Sequence, residues 1–367
     1  MGISSPTALW DFKKNAPKRH HPCRELLEAI ITEQLNTYRT KFLELLNKKA
    51  IVTPQALLEA VDRSNTGQDI DVFAFFDRNI NRLLIGNAKV YKDTRRSLKL
   101  FTSYASLSFS DIDQQFLHNY EVFLRKLGLA ETSISVYFRT LRALFNKALQ
   151  EKLIAAQAYP FKEFKVAKFN TQTQKRAITK EELKRIEKLP LDADNPLLEA
   201  RHYFLFSYYG QGINFRDIAQ LQWKSIIQDR IVYTRAKTGQ TIHFKLLPPA
   251  QEIVEHYRPL TGGHPEQYIF PILSRSKHLT AMQIDNRVDK VLKRVNKGLK
   301  ELARLAQIQV HLTTYVARHT YATVLKKSGI PIAVISEALG HRSEFITQTY
   351  LKSFDNDVID LANECLL

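Results

Sequence analysis

Cysteine, glycine and proline are scarce in this chain of 367 residues. The two cysteines, Cys23 and Cys365, lie near opposite ends, so neither a disulfide framework nor a cluster of metal-ligating thiols is expected. Only 12 glycines and 13 prolines are present, which predicts few tight turns and long helices. No apolar run approaches the roughly 18 residues of a membrane span, and the first residues carry no signal-peptide core. These absences favour a protein of a reducing cytoplasm with no membrane partner.

Negative charge is also in short supply. The chain has 54 Lys and Arg against 37 Asp and Glu, which gives a formal net charge of +17 with histidine neutral. Because the basic residues are distributed along several predicted helices, the excess charge suits an extended polyanion such as a phosphate backbone. A membrane surface is the weaker interpretation, since no helix pairs its basic face with the exposed aromatic edge that interfacial binding uses.

Hydrophobic periodicity predicts two folded regions joined by a linker. Residues 1–68 form a basic segment followed by helices, and 69–158 contain four amphipathic helices of an all-helical domain. Residues 159–178 are basic and lose the periodicity, as is typical of an inter-domain linker. From 179 to 367, helices surround a small β-hairpin at 231–244. The predicted fold is therefore mainly α, with an all-helical domain followed by an α+β domain.

A few side chains of the second domain are candidates for chemistry. Lys237 lies at the predicted hairpin tip, and Tyr315 and Arg318 share one helix face because they are three residues apart. His341 follows a Leu-Gly pair that predicts a helix end, and Tyr350 comes nine residues later. Each also has an ordinary explanation, as a solvated lysine, a paired arginine or a core aromatic. Only their combination is informative.

The sequence around these residues resembles the tyrosine recombinase, or phage integrase, family. The resemblance lies in YVARHTYAT at 315–323, LGHRS at 339–343, TQTY at 347–350 and RAKTG at 235–239. It extends over about residues 70–367, and the helical region is similar to the SAM-like core-binding domain of that family. It implies a core-binding domain followed by an α+β catalytic domain, and the breakage and rejoining of DNA.

The resemblance also implies roles for the candidate residues. Tyr350 would attack the scissile phosphate and leave a 3′-phosphotyrosyl bond with a free 5′-hydroxyl. A phenol suits this step, because its pKa near 10 makes it a competent leaving group when the strands are rejoined. Arg318 would bind the phosphate, His341 would donate a hydrogen bond to it, and Lys237 would protonate the departing 5′-oxygen. No metal, ATP or other cofactor is expected.

Two positions depart from the family pattern. Tyr315 stands where the family usually has histidine, and its hydroxyl can still donate one hydrogen bond. Asn214 stands where the first arginine of the family belongs, and it can be explained as a helix N-cap with Asp217 at position N3. Arg216, or Arg201 on the preceding predicted helix, is the candidate for a substitute charge. Since one lost oxyanion donor costs on the order of 10²–10³ in rate, we expect a slower enzyme or a compensating residue.

Further DNA contacts are predicted for basic residues of the helical domain and the linker. These are Arg95, Arg96, Lys99, Arg139, Arg142, Lys165 and Lys168. The expected partner is double-stranded DNA, with the protein a monomer in free solution and a homotetramer on DNA, in a bacterial-type cytoplasm at the nucleoid. The apolar tail after Tyr350 either packs on its own domain or docks on a neighbouring protomer, as is common in this family. Residues 1–68 resemble only a remnant of an arm-binding region.

Three functions remain open at this point. The main hypothesis is a site-specific recombinase or integrase that holds duplex DNA between its two domains. The second is a DNA-binding accessory protein of the same fold whose chemistry is weakened or lost, which Asn214 and Tyr315 favour. The third is a type IB topoisomerase, against which the integrase-like core-binding domain argues. A covalent adduct on a nicked DNA substrate, lost in Tyr350→Phe, distinguishes the first from the second.

Overall fold

The computed structural model describes most of the chain, in seven stretches: residues 5–47, 52–65, 70–103, 106–171, 176–341, 343–348 and residue 351. The chain divides into two units, Met1–Gln172 and Thr173–Leu367, each with a hydrophobic core. Helices predominate in both, and the strands form small antiparallel sheets, so the predicted mainly α fold class is confirmed. Within the described stretches, no helix has the length and apolar character needed to cross a membrane.

The first unit begins with a small sheet and two helices. They are β1 (Trp10–Asp11), which pairs antiparallel with β2 (Ala16–Pro17), then α1 (Arg24–Asn47) and α2 (Pro54–Asn65). Of the described α1 side chains Leu27 is buried, whereas several other leucines of this helix are exposed. Because burial of one face supplies most of a helix's stability in a protein, α1 is only loosely anchored by its own packing.

Four helices build the core of the first unit. They are α3 (Val72–Ile80), α4 (Ile85–Thr102), α5 (Gln114–Lys126) and α6 (Glu131–Gln150). The Asp71 carboxylate accepts from the backbone N–H of Ala74 at 2.6 Å, and Asp113 caps α5 in the same way. Ile112, which the apolar spacing assigns to the third helix, is buried just before this cap. Four helices are therefore present where four were predicted, with one start shifted by the capping aspartate.

Much of the segment predicted to be a linker belongs to this core. Residues 160–169 form two short 3₁₀ turns, and Phe161, Phe164 and Phe169 are buried. The rings of Phe164 and Phe169 stack on Phe138 of α6, with centroids 4.8 and 5.2 Å away. Burying one such ring stabilises a fold by about 1.5–3 kcal/mol. The prediction of a linker over 159–178 is thus wrong for its first half, because aromatic residues can bury themselves without helical spacing.

The second unit contains the remaining helices and a three-stranded sheet. The helices are α7 (Lys180–Lys188), α8 (Leu197–Tyr209), α9 (Phe215–Gln220), α10 (Pro248–Thr261), α11 (Ala281–Leu305), α12 (Thr314–Lys327), α13 (Ile332–Ala338) and α14 (Glu344–Gln348). The strands are β3 (Ile226–Ile227), β4 (Arg230–Thr234) and β5 (Thr241–Lys245), antiparallel in that order.

Helix α8 is the centre of the second unit. It packs against α10, α11 and α12, and its sequence is apolar nearly all round, as expected for a helix with neighbours on several sides. The chain leaves α8 through the turn at 210–214. That turn, the loop between β4 and β5 and the turn after α13 supply the residues of the site described next.

Candidate active site

Arg318 is the centre of the site. It lies in the middle of α12 and is only 2% exposed. Its Nη1 donates to the carbonyl of Gly212 at 2.8 Å, and its Nη2 donates to the carbonyl of Leu339 at 2.5 Å and to Nε2 of His341 at 3.0 Å. A buried guanidinium stays charged at any physiological pH, and burying it is costly. These acceptors therefore hold a permanent positive charge where three segments of the chain meet.

Gly212 is required by the close approach of Arg318. Its φ of +67° lies in the left-handed region. A Cβ at this position would lie 3.0 Å from Cγ and 3.1 Å from Cα of Arg318, closer than real Cβ contacts normally come. Two independent constraints, conformation and space, thus fix glycine beside the guanidinium.

His341 is held in one tautomer by its two neighbours. Because Arg318 can only donate, Nε2 of the neutral ring accepts, and Nδ1 therefore donates to Oγ1 of Thr347 at 2.8 Å. Burial, followed by the charges of Arg318, Arg235 and Lys237 in that order, lowers the pKa of His341 to about 4. The imidazole is therefore neutral at pH 7 in the DNA-free protein.

The turn before His341 is locked to the hairpin. Gly340 has a φ of +63°, and a Cβ there would lie 2.6 Å from Cδ1 of Ile242 on β5. Ile242 is itself buried. The absence of a side chain at Gly340 therefore lets strand β5 lie directly on the turn, and it fixes the hairpin next to the imidazole.

Lys237 lies on the loop between β4 and β5, as predicted, and its side chain is exposed. The loop is closed by backbone bonds, since Arg235 N–H donates to the carbonyl of Gln240 and the Arg235 carbonyl accepts from Gly239, both at 2.9 Å. The ammonium is near enough to the imidazole for its charge to lower the pKa of His341. An exposed amine on a short closed loop can reach a substrate that lies over the site.

Asn214 stands at the start of α9, but its side chain does not cap the helix. Its backbone is extended, and its carbonyl accepts from Asp217 and Ile218. The side chain lies close enough to the Asp217 carboxylate to favour the charged form of that group. Burial raises the pKa of Asp217, while bonds from Ala236 N–H and Asn214 and the charges of Arg235 and Arg318 oppose that rise. Asn214 is therefore the N-cap residue of α9, as expected, but it forms no side-chain capping bond.

Both arginines proposed as a substitute charge have partners elsewhere in the second unit. Arg216 Nη1 donates to buried Asp285 of α11 at 2.5 Å. Arg201 Nη1 donates to the carbonyl of Leu189 at 2.6 Å and, more weakly, to that of Glu187. The first is paired with a carboxylate and the second is engaged with backbone at the end of α7, so a role at the phosphate would require either arginine to leave these partners.

Arg235 is a residue of the site that the sequence reasoning missed. It is 5% exposed, and its Nη1 donates to the carbonyl of Gly340 at 2.9 Å. The alternation of side chains along the predicted hairpin could have indicated that Arg235 is buried. Side chains alternate between faces along a strand, so Arg235 continues the side of β4 that carries buried Ile231 and half-buried Tyr233.

Tyr315 and Tyr350 complete the set of predicted site residues. Tyr315 lies in the first turn of α12, one turn before Arg318, and is 47% exposed. Its ring packs edge-on against His319, with centroids 5.0 Å apart. Tyr350 lies outside the described residues. Its neighbours Thr347 and Leu351 are buried.

The predicted DNA contacts on α4 are partly engaged within the protein. Arg95 pairs with Asp77 at 2.7 Å and Arg96 with Asp93 at 3.0 Å. The ammonium of Lys99 lies 5.2 Å from the centroid of the Phe73 ring. Arg96 and Lys99 are both exposed, and the Arg96 side chain is 76% exposed.

The remaining predicted DNA contacts differ in the same way. Arg139 and Arg142 are both exposed on α6, and Arg139 also donates to the carbonyl of Ser135 one turn back. Lys165 donates to the carbonyl of Lys162. Lys168 pairs with Glu121 at 2.5 Å and lies 4.0 Å from the centroid of Phe164. Lys168 therefore helps to fasten the segment 160–169 to the helical core.

Two family profiles match the chain, in order along the sequence. The profile of the phage integrase SAM-like domain matches residues 71–166, and that of the phage integrase family matches residues 176–357. The tyrosine recombinase XerD of Listeria innocua is 24% identical over 275 residues, which cover 72% of this chain and 88% of that protein. The tyrosine recombinase XerA of Pyrococcus furiosus is 29% identical over 235 residues, 62% of this chain and 72% of that protein.

Solved structures share the fold at low sequence identity. A lambda integrase tetramer bound to a Holliday junction superposes with a TM-score of 0.59 at 13% identity, covering 94% of this chain and 93% of that one. The Tn1549 transposon integrase in complex with transposon right end DNA gives a TM-score of 0.55 at 14% identity, with 81% and 99% covered. On the two matched profiles and these relatives, the chain belongs to the phage integrase family of tyrosine recombinases, the enzymes of site-specific DNA recombination.

Proposed function

We propose that this chain cuts and rejoins duplex DNA at a specific site, with Tyr350 as the nucleophile and Arg318, His341 and Lys237 around the scissile phosphate. The observation that carries the proposal is the buried Arg318 guanidinium, bonded to His341 and to two backbone carbonyls. Neutral carbonyls compensate a buried cation only in part. A phosphate supplies the missing negative charge in the bidentate geometry that a guanidinium prefers.

The phosphate would change the state of His341. A phosphate oxygen replaces the His341 imidazole as the acceptor for Arg318 Nη2. This exchange leaves Nε2 of His341 available for a proton. The neutral ring then accepts the phenolic proton of Tyr350, and the anion beside it favours the imidazolium. The protonated ring donates to a non-bridging oxygen, which is the role that the family resemblance assigns to it.

The chemical step is a phosphoryl transfer. The Tyr350 oxygen forms a bond to phosphorus as the bond from phosphorus to the 5′-oxygen breaks, and Lys237 gives its proton to that oxygen. The energy of the phosphodiester is kept in the phosphotyrosyl link, so rejoining needs no added energy source. The exposed position of Lys237 on its loop supports this role, because the leaving oxygen must be reached from the DNA side.

A nicked duplex tests the proposal. The short strand downstream of the cut diffuses away after cleavage, which traps the covalent complex as a band of lower mobility on a denaturing gel. We expect the wild-type chain to form the adduct and Tyr350→Phe to form none while still binding the duplex. Tyr38→Phe, on α1 of the other unit, is the matched control and should behave as wild type. An adduct in Tyr350→Phe, or none in wild type at any salt concentration, overturns the proposal.

We also propose that the protein is a monomer in free solution and a homotetramer on recombining DNA, acting at the nucleoid in a bacterial-type cytoplasm. The net charge of +17 supports DNA as the partner. The lambda integrase fold neighbour, a tetramer on a Holliday junction, supports four protomers. Light scattering after size exclusion, with and without a synthetic four-way junction, should give masses of one and four chains. A stable multimer without DNA contradicts this.

A further inference from the structure

The proposed site has one positive charge fewer than the family pattern, because Asn214 stands where the first arginine belongs. A phosphate in a phosphoryl-transfer transition state carries negative charge on its non-bridging oxygens, and Arg318 is one guanidinium beside it. Asn214 is uncharged. Arg216 and Arg201 are engaged elsewhere in the same unit. A second cation must come from another position in the chain, or the reaction proceeds with the charge only half compensated.

We propose that Arg235 is a catalytic residue that supplies the second guanidinium for the scissile phosphate, in place of the uncharged Asn214. This inference rests on the proposed function of the site. It assigns to the RAKTG segment two separate cations, Arg235 for the phosphate oxygens and Lys237 for the leaving group.

The position of Arg235 follows from two adjacent carbonyls, each of which accepts a hydrogen bond from one of the two arginines. Arg318 Nη2 donates to Leu339 at 2.5 Å, and Arg235 Nη1 donates to Gly340 at 2.9 Å. These carbonyls belong to consecutive residues, whose Cα atoms are 3.8 Å apart. The two donating nitrogens are therefore within about 10 Å of each other, and His341 is the next residue along. This places Arg235 in the same pocket as the two residues that would bind phosphate.

The charge of Arg235 is only partly compensated by the protein. Its side chain is 5% exposed, and no ion pair of Arg235 is found within the described residues, although the buried Asp217 carboxylate is near enough for the two charges to interact. Its buried Nε–H finds no acceptor in the part of the chain that the structure describes. An orphaned N–H on a buried permanent cation is costly, and folds keep such a group mainly where a ligand satisfies it. A phosphate oxygen is an acceptor of the required charge.

The backbone around Arg235 is built to hold this side chain still. Its N–H donates to the Gln240 carbonyl, and the next N–H, of Ala236, donates to Oδ1 of Asp217 at 3.0 Å. The Asp217 carboxylate thus anchors the loop that carries Arg235. Arg235 is fixed at the base of the loop, whereas Lys237 lies at its exposed tip.

Substitutions at Arg235 in the full-length chain test the inference. We expect Arg235→Ala to slow adduct formation on the nicked duplex by about 10²–10³-fold, the usual effect of removing one donor to a developing oxyanion. Binding of intact duplex should change less than about threefold, because many phosphate contacts share that affinity. Arg230→Ala, on the exposed start of the same strand, is the matched control and should stay within twofold of wild type.

Two conservative variants separate catalysis from a structural role. Arg235→Gln and Arg235→Lys both keep a donor for the Gly340 carbonyl, but only lysine keeps the charge. We expect lysine to be at least tenfold faster than glutamine, and glutamine to be as slow as alanine. Equal rates for the two, or an Arg235→Ala rate as fast as Arg230→Ala, overturn the inference while the wild-type adduct still supports the proposed function. Loss of the wild-type adduct itself would instead defeat the proposed function.

Discussion

Gly212→Ala is expected to damage the site through a steric contact whose size can be worked out. The added Cβ would lie 3.0 Å from Cγ and 3.1 Å from Cα of Arg318, and φ at this position is +67°. The left-handed backbone alone costs an alanine about 1–2 kcal/mol. Overpacking against a buried neighbour adds about 1–3 kcal/mol, since Arg318 is confined by α12 and its carbonyl acceptors. The expected total loss in the free energy of unfolding is about 2–5 kcal/mol.

Gly262→Ala is the matched control for this prediction. Gly262 follows α10 with a φ of +78°, and a Cβ there meets nothing within 4 Å, so only the backbone cost applies. The chain has two tryptophans, Trp10 and Trp223. In a Trp10→Phe background, the fluorescence emission of buried Trp223 reports the unfolding of the second unit in urea, and the free energy of unfolding is compared between the two alanine variants. Equal stability losses for the two alanine variants would refute the argument from the Arg318 contact.

Two further predictions follow from charges in the second unit. The pKa values of His341 and His202 are lowered to about 4, mainly by burial, from a value near 6.5 in the unfolded chain. Between pH 4 and 6.5 the unfolded state therefore binds more protons than the folded state. The free energy of unfolding must fall as the pH drops from 6.5 to 4. His341→Gln should flatten this dependence by about 1–2 kcal/mol, after allowance for solvent screening, in urea titrations at pH 7 and pH 4.5, and an unchanged slope would contradict the burial argument. Arg216→Ala should lower stability by about 1–3 kcal/mol, because it removes the guanidinium from buried Asp285. Its adduct rate per folded molecule should remain that of wild type, and a hundredfold loss would show that Arg216 does serve the phosphate.

The sequence predicted the elements of the fold better than their boundaries. Helical spacing identified α3 to α6 and α11, since one face of each is buried continuously. Helical spacing did not predict the structure of residues 160–169, because three buried aromatic residues there lie in and around short 3₁₀ turns and show no regular spacing. Tertiary packing, which joins these residues to Phe138, decides that segment.

The candidate site was predictable to the extent that its residues stand in recognisable segments. Arg318 and His341 lie in such segments, and the structure brings them into contact. Arg235 was overlooked because an arginine beside a hairpin turn is usually solvated, and only the pairing of the hairpin with the turn after α13 buries it. Asn214 occupies the N-cap position that local rules assign to it, but those rules did not predict that its side chain forms no capping bond. Contacts between distant segments therefore decided what local patterns could not.

The two carbonyls that hold the arginines have a consequence for how the centre tolerates change. In the resting protein the peptide dipoles of Leu339 and Gly340 stand in for the absent anion. A substitution alters a side chain but leaves the main-chain oxygen where it was, so the bonds to the arginines depend on the path of the backbone through this turn. Insertion or deletion of a single residue there displaces both oxygens together and would dismantle the centre at once. The turn has to preserve its length, and its composition is constrained as well, because Leu339 is fully buried and Gly340 leaves no room for a Cβ.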